Sequence, residues 1–174
     1  YRLGSDEPFH QNALADGLMA LPFAPCMPTQ AISAGFVPPR GQEGGSFAEW
    51  VAGHCIAKVL IEQRILPASV VRARVDELCA QIERESGRKP GAKRRRELKE
   101  ESQFELLPQA FTRQRAVWIW FDLARGLLCI DATTNATLDA VLTLVAKACS
   151  WLQIAPLQTR DAPAACMKAW LLDG

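Results

Sequence analysis

The fold can be predicted from residues 54–82, HCIAKVLIEQRILPASVVRARVDELCAQI. The spacing of the apolar side chains changes partway along this stretch. From His54 to Ile65, two sets of side chains interleave with a period of two, which predicts a β-strand. From Pro67 the period becomes that of a helix, since one stripe carries Val71, Val75, Leu78 and Ile82. Pro67 suits a helix entrance, and Ser69 is a candidate cap.

A second helix is predicted directly after the first. The segment SGRKPG, residues 86–91, has helix-stop and turn chemistry. Residues 92–106 can then form a helix, which Pro108 ends. The two helices predict a helical hairpin over residues 67–107.

Strands and helices are predicted on both sides of this hairpin. Before it we expect the end of a strand at 1–3, a helix at 8–21 and an apolar segment at 32–37. After it we expect strands at 111–121, 127–131 and 154–159, a helix from Asn135 or Thr137 to 152, and a helix at 162–172. This order lacks the strict alternation of a doubly wound fold, so we predict an α+β body with a mixed or antiparallel sheet and packed helices. The domain prediction is a first body part at 1–66, the inserted hairpin at 67–107 and a second body part at 108–174.

Charge is concentrated in the middle of the chain. The whole sequence carries a net charge of +1, but residues 58–115 contain 14 basic and 9 acidic residues, a net +5, which leaves −4 for the rest. Such a split indicates either a localised surface for a polyanion or a solvated helical face.

The second helix of the hairpin carries its charges in the reverse of the favourable order. Lys93 to Arg96 occupy its first turn and glutamates follow, so each misplaced charge costs about 0.3–1 kcal/mol against the helix dipole. A bound phosphate would resolve the conflict. We therefore expect DNA-backbone contacts, without sequence preference, from Arg88, Lys89, Lys93, Arg94, Arg95, Arg96 and Lys99.

The alternative for this run is a solvated hairpin crossed by salt bridges. Lys93 with Glu97, and Arg96 with Glu100, stand at i, i+4 and can attract each other. Phe104 is the single aromatic residue in the run, so base stacking by a single strand has weak support.

Other chemistry has little support in the sequence. His54 and Cys55 are adjacent on a strand and should face opposite ways, which argues against a catalytic pair. The six cysteines have no CxxC spacing, and we expect reduced thiols, with Cys79, Cys129 and Cys149 buried. We expect no enzyme activity, cofactor, metal, small-molecule substrate or membrane span, and a cytoplasmic location.

A set of segments along the chain forms a recognisable series: YRL at 1–3, FAPC at 23–26, GFVPPRG at 35–41, ILPASVV at 65–71, LLPQAF at 106–111, WFDLARGLLCID at 120–131 and APLQT at 155–159. In this order the segments resemble the RdgC family of bacterial recombination-associated proteins. Their order and spacing agree over essentially the whole chain. One departure is Gln109, where the family commonly has arginine.

The resemblance implies a nucleoid-associated protein whose homodimer forms a ring around duplex DNA and limits recombinase access, with single-stranded DNA as a second candidate ligand. It also implies that the hairpin is the family's tip, which supplies one dimer contact. The expected dimer residues are Val71, Val75, Leu78 and Phe111. Finally, it implies a fragment that lacks the extreme N-terminus and the C-terminal third.

A second hypothesis is a protein-interaction module. In it the apolar stripe pairs with another helix, while the basic tip meets an acidic protein. A third, a cysteine-dependent enzyme, would require one thiol to react much faster than the other five, whereas we expect uniform, slow labelling.

Overall fold

The computed structural model describes residues 1–4, 10–159 and 161–173, and it confirms the predicted α+β fold. The strands are β1 (Arg2–Gly4), β2 (Ile32–Val37), β3 (Glu49–Val51), β4 (His54–Ile65), β5 (Phe111–Asp122), β6 (Leu127–Ile130) and β7 (Gln153–Ala155). The helices are α1 (Gln11–Met19), α2 (Ala68–Ser86), α3 (Ala92–Leu106), α4 (Asn135–Ala148) and α5 (Pro163–Asp173). No helix in the described ranges is both long enough and apolar enough to cross a membrane.

The strands form a sheet of order β2-β4-β5-β6-β1-β7, with β3 beside β4 and every strand pair antiparallel. The central pair is β4 with β5, which runs from the Cα partners His54 and Asp122 to Ile65 and Phe111. Because α2 follows β4 and α3 precedes β5, the helical hairpin leaves the body at the Ile65–Phe111 end of this pair.

The core lies on one side of the sheet. Alternate residues of β4 and β5 are buried there, as the period of two requires. They share one apolar cluster with residues of α1 and α4, namely Cys55, Ala57, Val59, Val117, Ile119, Phe121, Leu14, Leu18, Val141 and Val145. Burial raises the pKa of the Cys55 thiol to about 12 and that of Cys149 to about 11.

The hairpin has a small apolar core of its own. Val71, Val75 and Leu98 are buried in it, with Leu78 and Ile82 among its partly buried members. Gly87 ends α2 in the left-handed conformation, at φ 68°, and its N–H donates to the carbonyl oxygen of Glu83. A glycine tolerates that conformation without steric cost, as the turn SGRKPG requires.

Several local predictions were wrong. The residue that caps α2 is Pro67, and no side chain, including that of Ser69, makes a capping hydrogen bond there. Thr134 caps α4, and its side chain accepts a hydrogen bond from the N–H of Thr137. The short strand β3 was not predicted, because three residues are too few to show a period. It reaches β4 through Ala52 and Gly53, both at positive φ.

The predicted boundaries and two thiols also need correction. Cys79 is only partly buried, against the apolar cluster of the hairpin. The predicted helix start at Pro8 lies outside the described residues, and α1 begins at Gln11. Helix α4 ends at Ala148 rather than at 152, and β7 ends at Ala155 rather than at 159. Cys129 is exposed rather than buried, because Leu128 takes the inward position of β6 and the side chain of Cys129 points away from the core.

Candidate nucleic-acid interface

Arg64, at the end of β4, holds the base of the hairpin against the body. Its Nη1 donates to the carbonyl oxygens of Leu107, Pro108 and Ala110, at 3.2 to 3.3 Å. Its Nη2 donates to the carbonyl oxygens of Cys26 and Met27. One guanidinium therefore ties the exit of α3 to a loop that precedes β2. The sequence analysis missed this residue, since its partners are 37 to 46 positions away.

Glu62, two residues earlier, is buried beside this anchor. Its carboxylate accepts hydrogen bonds from the side-chain amide of Gln114, at 2.8 Å, and from the N–H of Cys26, at 2.7 Å. These two bonds hold the pKa of Glu62 below its usual range, although burial opposes them. The bond from Gln114 is the larger cause, and the bond from Cys26 is the second. The carboxylate thus stays ionised and links the loop to both central strands.

Most of the predicted phosphate contacts are paired with carboxylates of the hairpin itself. Arg94 contacts Glu97 at 3.1 Å and Glu101 at 2.9 Å, and these bonds raise its pKa, with Glu101 as the first cause. Arg95 reaches across to Asp76 of α2 at 3.0 Å. The remaining pairs are Arg96 with Glu100, at 3.4 Å, and Lys89 with Glu83, at 4.0 Å.

The predicted pair of Arg96 with Glu100 is thus confirmed, whereas the pairing of Lys93 with Glu97 was wrong because Arg94 occupies that carboxylate. Among the described residues, Arg88, Lys93 and Lys99 have no carboxylate within ion-pair distance. These three cations are available to an external anion without breaking any such pair.

The start of α3 carries no side-chain cap. Its capping residue is Gly91, and its first turn contains no acidic residue. Residues 93–96 therefore place four cations at the positive end of the helix dipole without an acidic residue in the same turn, and the carboxylates that pair with three of them lie elsewhere on the hairpin. This arrangement matches the conflict expected from the sequence.

A groove runs along one side of the hairpin between α2 and α3. Its floor is apolar, with Val71 and Val75 among the lining residues. Its charged lining residues are Arg72, Asp76, Arg95, Arg96 and Lys99. Arg72 was not among the predicted contacts, because it lies on α2, well before the basic run in the sequence.

The residues expected at a dimer contact fall into two groups. Val71 and Val75 are only 3% and 7% exposed because α3 of the same chain covers them, and Leu78 is partly buried in the same cluster. Phe111 is instead 86% exposed, at the base of the hairpin, where Ile65 is also exposed. The apolar stripe of α2 thus packs inside the hairpin, while the dimer contact stays a prediction.

His54 and Cys55 point to opposite sides of the sheet, as expected. Cys55 is buried, whereas His54 is partly exposed, with its Nδ1 3.7 Å from Oδ1 of Asp122. Its ring meets that of Trp120 edge-on, with centroids 5.3 Å apart. No group of three or more His, Cys, Asp or Glu residues in the described ranges could hold a metal ion.

Comparison with known proteins identifies relatives over the whole chain. A family model described as "Putative exonuclease, RdgC" matches residues 1–174. The "Recombination-associated protein RdgC" of Herminiimonas arsenicoxydans is 34% identical over 99% of this chain and 57% of its own length. That of Dechloromonas aromatica is 34% identical over 88% of this chain and 50% of its own length. The chain spans about half the length of these relatives, and it belongs to the RdgC family of recombination-associated proteins.

Proposed function

We propose that the helical hairpin binds the phosphate backbone of DNA, duplex DNA first, without sequence preference. The observation that carries the proposal is the start of α3, which has no side-chain cap and no acidic residue in its first turn, where Lys93 to Arg96 stand at the positive end of the helix dipole. Arg88, Lys93 and Lys99, which lack a carboxylate partner among the described residues, are the first candidates for contact.

The internal ion pairs of the other cations are compatible with this function. Exposed ion pairs are worth about 0–1 kcal/mol, so phosphate can replace a carboxylate at little cost. Each phosphate contact also releases condensed counterions, which favours binding strongly at low salt. The hairpin presents few base-stacking groups, so we expect contacts to the backbone, which carry no sequence information.

The proposal is tested by fluorescence anisotropy of a labelled duplex at increasing salt. About five contacts predict a slope of −4 to −5 in a plot of log affinity against log salt concentration. Replacing Arg94, Arg95 and Arg96 together by alanine should make the slope shallower. A flat salt response of the wild-type chain, or an unchanged slope in the triple variant, refutes the proposal.

We also propose that RdgC proteins of the relatives' length use this hairpin in a homodimeric ring on duplex DNA, located at the nucleoid, which limits recombinase access. Support in this chain comes from the exposed apolar cluster at the base of the hairpin, where Phe111 is 86%, Ile65 46% and Val70 45% exposed. Sedimentation should show self-association that Phe111→Ser weakens. Phe104→Ser, at a side chain 68% exposed, is the control and should leave the mass unchanged.

A second candidate function is a protein-interaction module with an acidic partner. The internal ion pairs favour it, because a hairpin already crossed by Arg–Glu pairs is also typical of a solvated protein surface. Mass measurement with and without duplex DNA separates the two functions. A mass that increases when duplex DNA is added supports DNA binding, and an unchanged mass supports the protein-interaction module.

We propose no covalent chemistry for the chain, although the description of its family includes the word exonuclease. An end-labelled duplex incubated with the chain and Mg²⁺ should keep its length. Progressive shortening of the labelled strand would contradict this part of the proposal.

A further inference from the structure

The two sides of the hairpin carry opposite charge. We call the side that holds the groove the groove side; its charged residues are Arg72, Asp76, Arg95, Arg96 and Lys99, a net charge of +3. We call the other the carboxylate side; its ion-paired residues are Arg74, Glu77, Arg94, Glu97, Glu101 and Glu105, a net charge of −2. The basic run seen in the sequence is therefore divided between two surfaces.

Helical spacing produces this division. On α3, Arg95 and Lys99 stand four residues apart and lie on one side of the buried Leu98. Arg94 lies on the other side, where it reaches Glu101, seven residues or about two turns along. Side chains that are neighbours in sequence diverge around a helix, whereas those at i and i+4 share a side.

The two sides offer different environments to a phosphate. On the carboxylate side, Arg74 contacts Glu105 at 2.8 Å and Glu77 at 3.4 Å, and Arg94 also has two carboxylates. A phosphate there would meet four anions for two cations. On the groove side, Arg72 and Lys99 have no carboxylate partner in the described part of the chain, Arg95 has only Asp76, and Arg96 has only Glu100.

We infer that the phosphodiester backbone lies along the groove side and contacts Arg72, Arg95, Arg96 and Lys99, while the carboxylate side faces away from the nucleic acid. This inference rests on the proposed function and deepens it. It adds Arg72, which lies outside the basic run, and it removes Arg94, which lies at the centre of that run.

The test compares two double variants of the 174-residue chain that remove the same net charge. Arg72→Ala with Lys99→Ala changes the groove side, and Arg74→Ala with Arg94→Ala changes the carboxylate side. Each phosphate contact contributes about 0.9 to the salt slope, so the groove-side variant should lose about 1.8. When the salt concentration rises from 50 to 200 mM, the factor by which the affinity falls should therefore be about twelvefold smaller for this variant than for the wild type. The carboxylate-side variant should keep the wild-type slope.

Two further measurements make the outcome decisive. Circular dichroism melting checks that both variants fold, and Arg72→Gln with Lys99→Gln repeats the groove-side change with longer side chains. Equal loss of slope in both double variants would show that only net charge matters, which overturns the inference alone. A larger loss in the carboxylate-side variant would also overturn it. Failure of the wild-type chain to bind DNA refutes the proposed function, and the inference with it.

Discussion

Replacing Leu98 by alanine should loosen the helical hairpin while leaving the sheet intact. Leu98 is 2% exposed and is one of three buried residues in the hairpin's own apolar cluster, which is separate from the core of the body. Truncating a buried leucine costs about 2–5 kcal/mol. Helices of this length have little stability alone in water, so the hairpin depends on this packing.

Hydrogen exchange followed by mass spectrometry measures the effect segment by segment. A factor of ten in an equilibrium constant corresponds to about 1.4 kcal/mol. The lower end of the cost of truncating Leu98, about 2 kcal/mol, therefore predicts that amides of α2 and α3 exchange at least about thirtyfold faster through opening of the hairpin. Peptides from β4 and β5 should exchange as in the wild type. DNA affinity should fall in parallel with the loss of protection, because residues of both helices form the groove side.

The matched control is Phe104→Ala, on the same helix. Phe104 is 68% exposed, so its truncation should change stability by no more than about 0.5 kcal/mol. If Leu98→Ala speeds exchange in the hairpin no more than Phe104→Ala does, the result refutes the packing of α3 on α2 through Leu98. If the peptides of β4 and β5 lose protection equally, the hairpin is not a separately stabilised unit.

Gly17→Ala should destabilise the body, because the added methyl group would meet the carbonyl of Ala148. Overpacking costs about 1–3 kcal/mol and the helix regains up to about 1 from the better residue, so denaturant unfolding should show a net loss. Glu62→Gln should destabilise the chain at neutral pH, and less so in acid. The lowered pKa means that the contribution of Glu62 is complete above its unfolded pKa and is lost as the pH falls through the folded one. The exposed Cys129 should react with a thiol reagent well before Cys55, whose burial raises its pKa to about 12, so the labelling should not be uniform, in contrast to the expectation from the sequence.

Each of these three predictions has a control. Gly91→Ala adds a methyl group that meets nothing within 4 Å, so it should cost less stability than Gly17→Ala. Glu43→Gln, at an exposed carboxylate, should change the stability by no more than about 0.5 kcal/mol. A destabilisation by Glu62→Gln that is as large in acid as at neutral pH would contradict the account of Glu62. Rapid labelling of Cys55 would contradict its burial, and would revive the hypothesis of a cysteine-dependent enzyme.

The main helices and strands of this protein could be predicted from the residue pattern alone. The bounds predicted for β4 and α3 match the structure, because alternating apolar side chains mark β4, and the turn at 86–91 and Pro108 bound α3. The family could also be identified, since its motifs keep their order along the chain. The reversed charge order of α3 was likewise visible, as it needs only a helix and its first turn.

Which side chains meet could not be predicted in this way, because it depends on how the elements pack. Sequence spacing favoured Lys93 as the partner of Glu97, yet Arg94 takes that carboxylate. The position of α3 against α2 brings Arg95 to Asp76, 19 residues away. Arg64 finds its carbonyl partners through the pairing of β4 with β5 and the loop beside them. A local pattern determines which side of a helix a residue occupies, but what faces that side depends on segments distant in the chain.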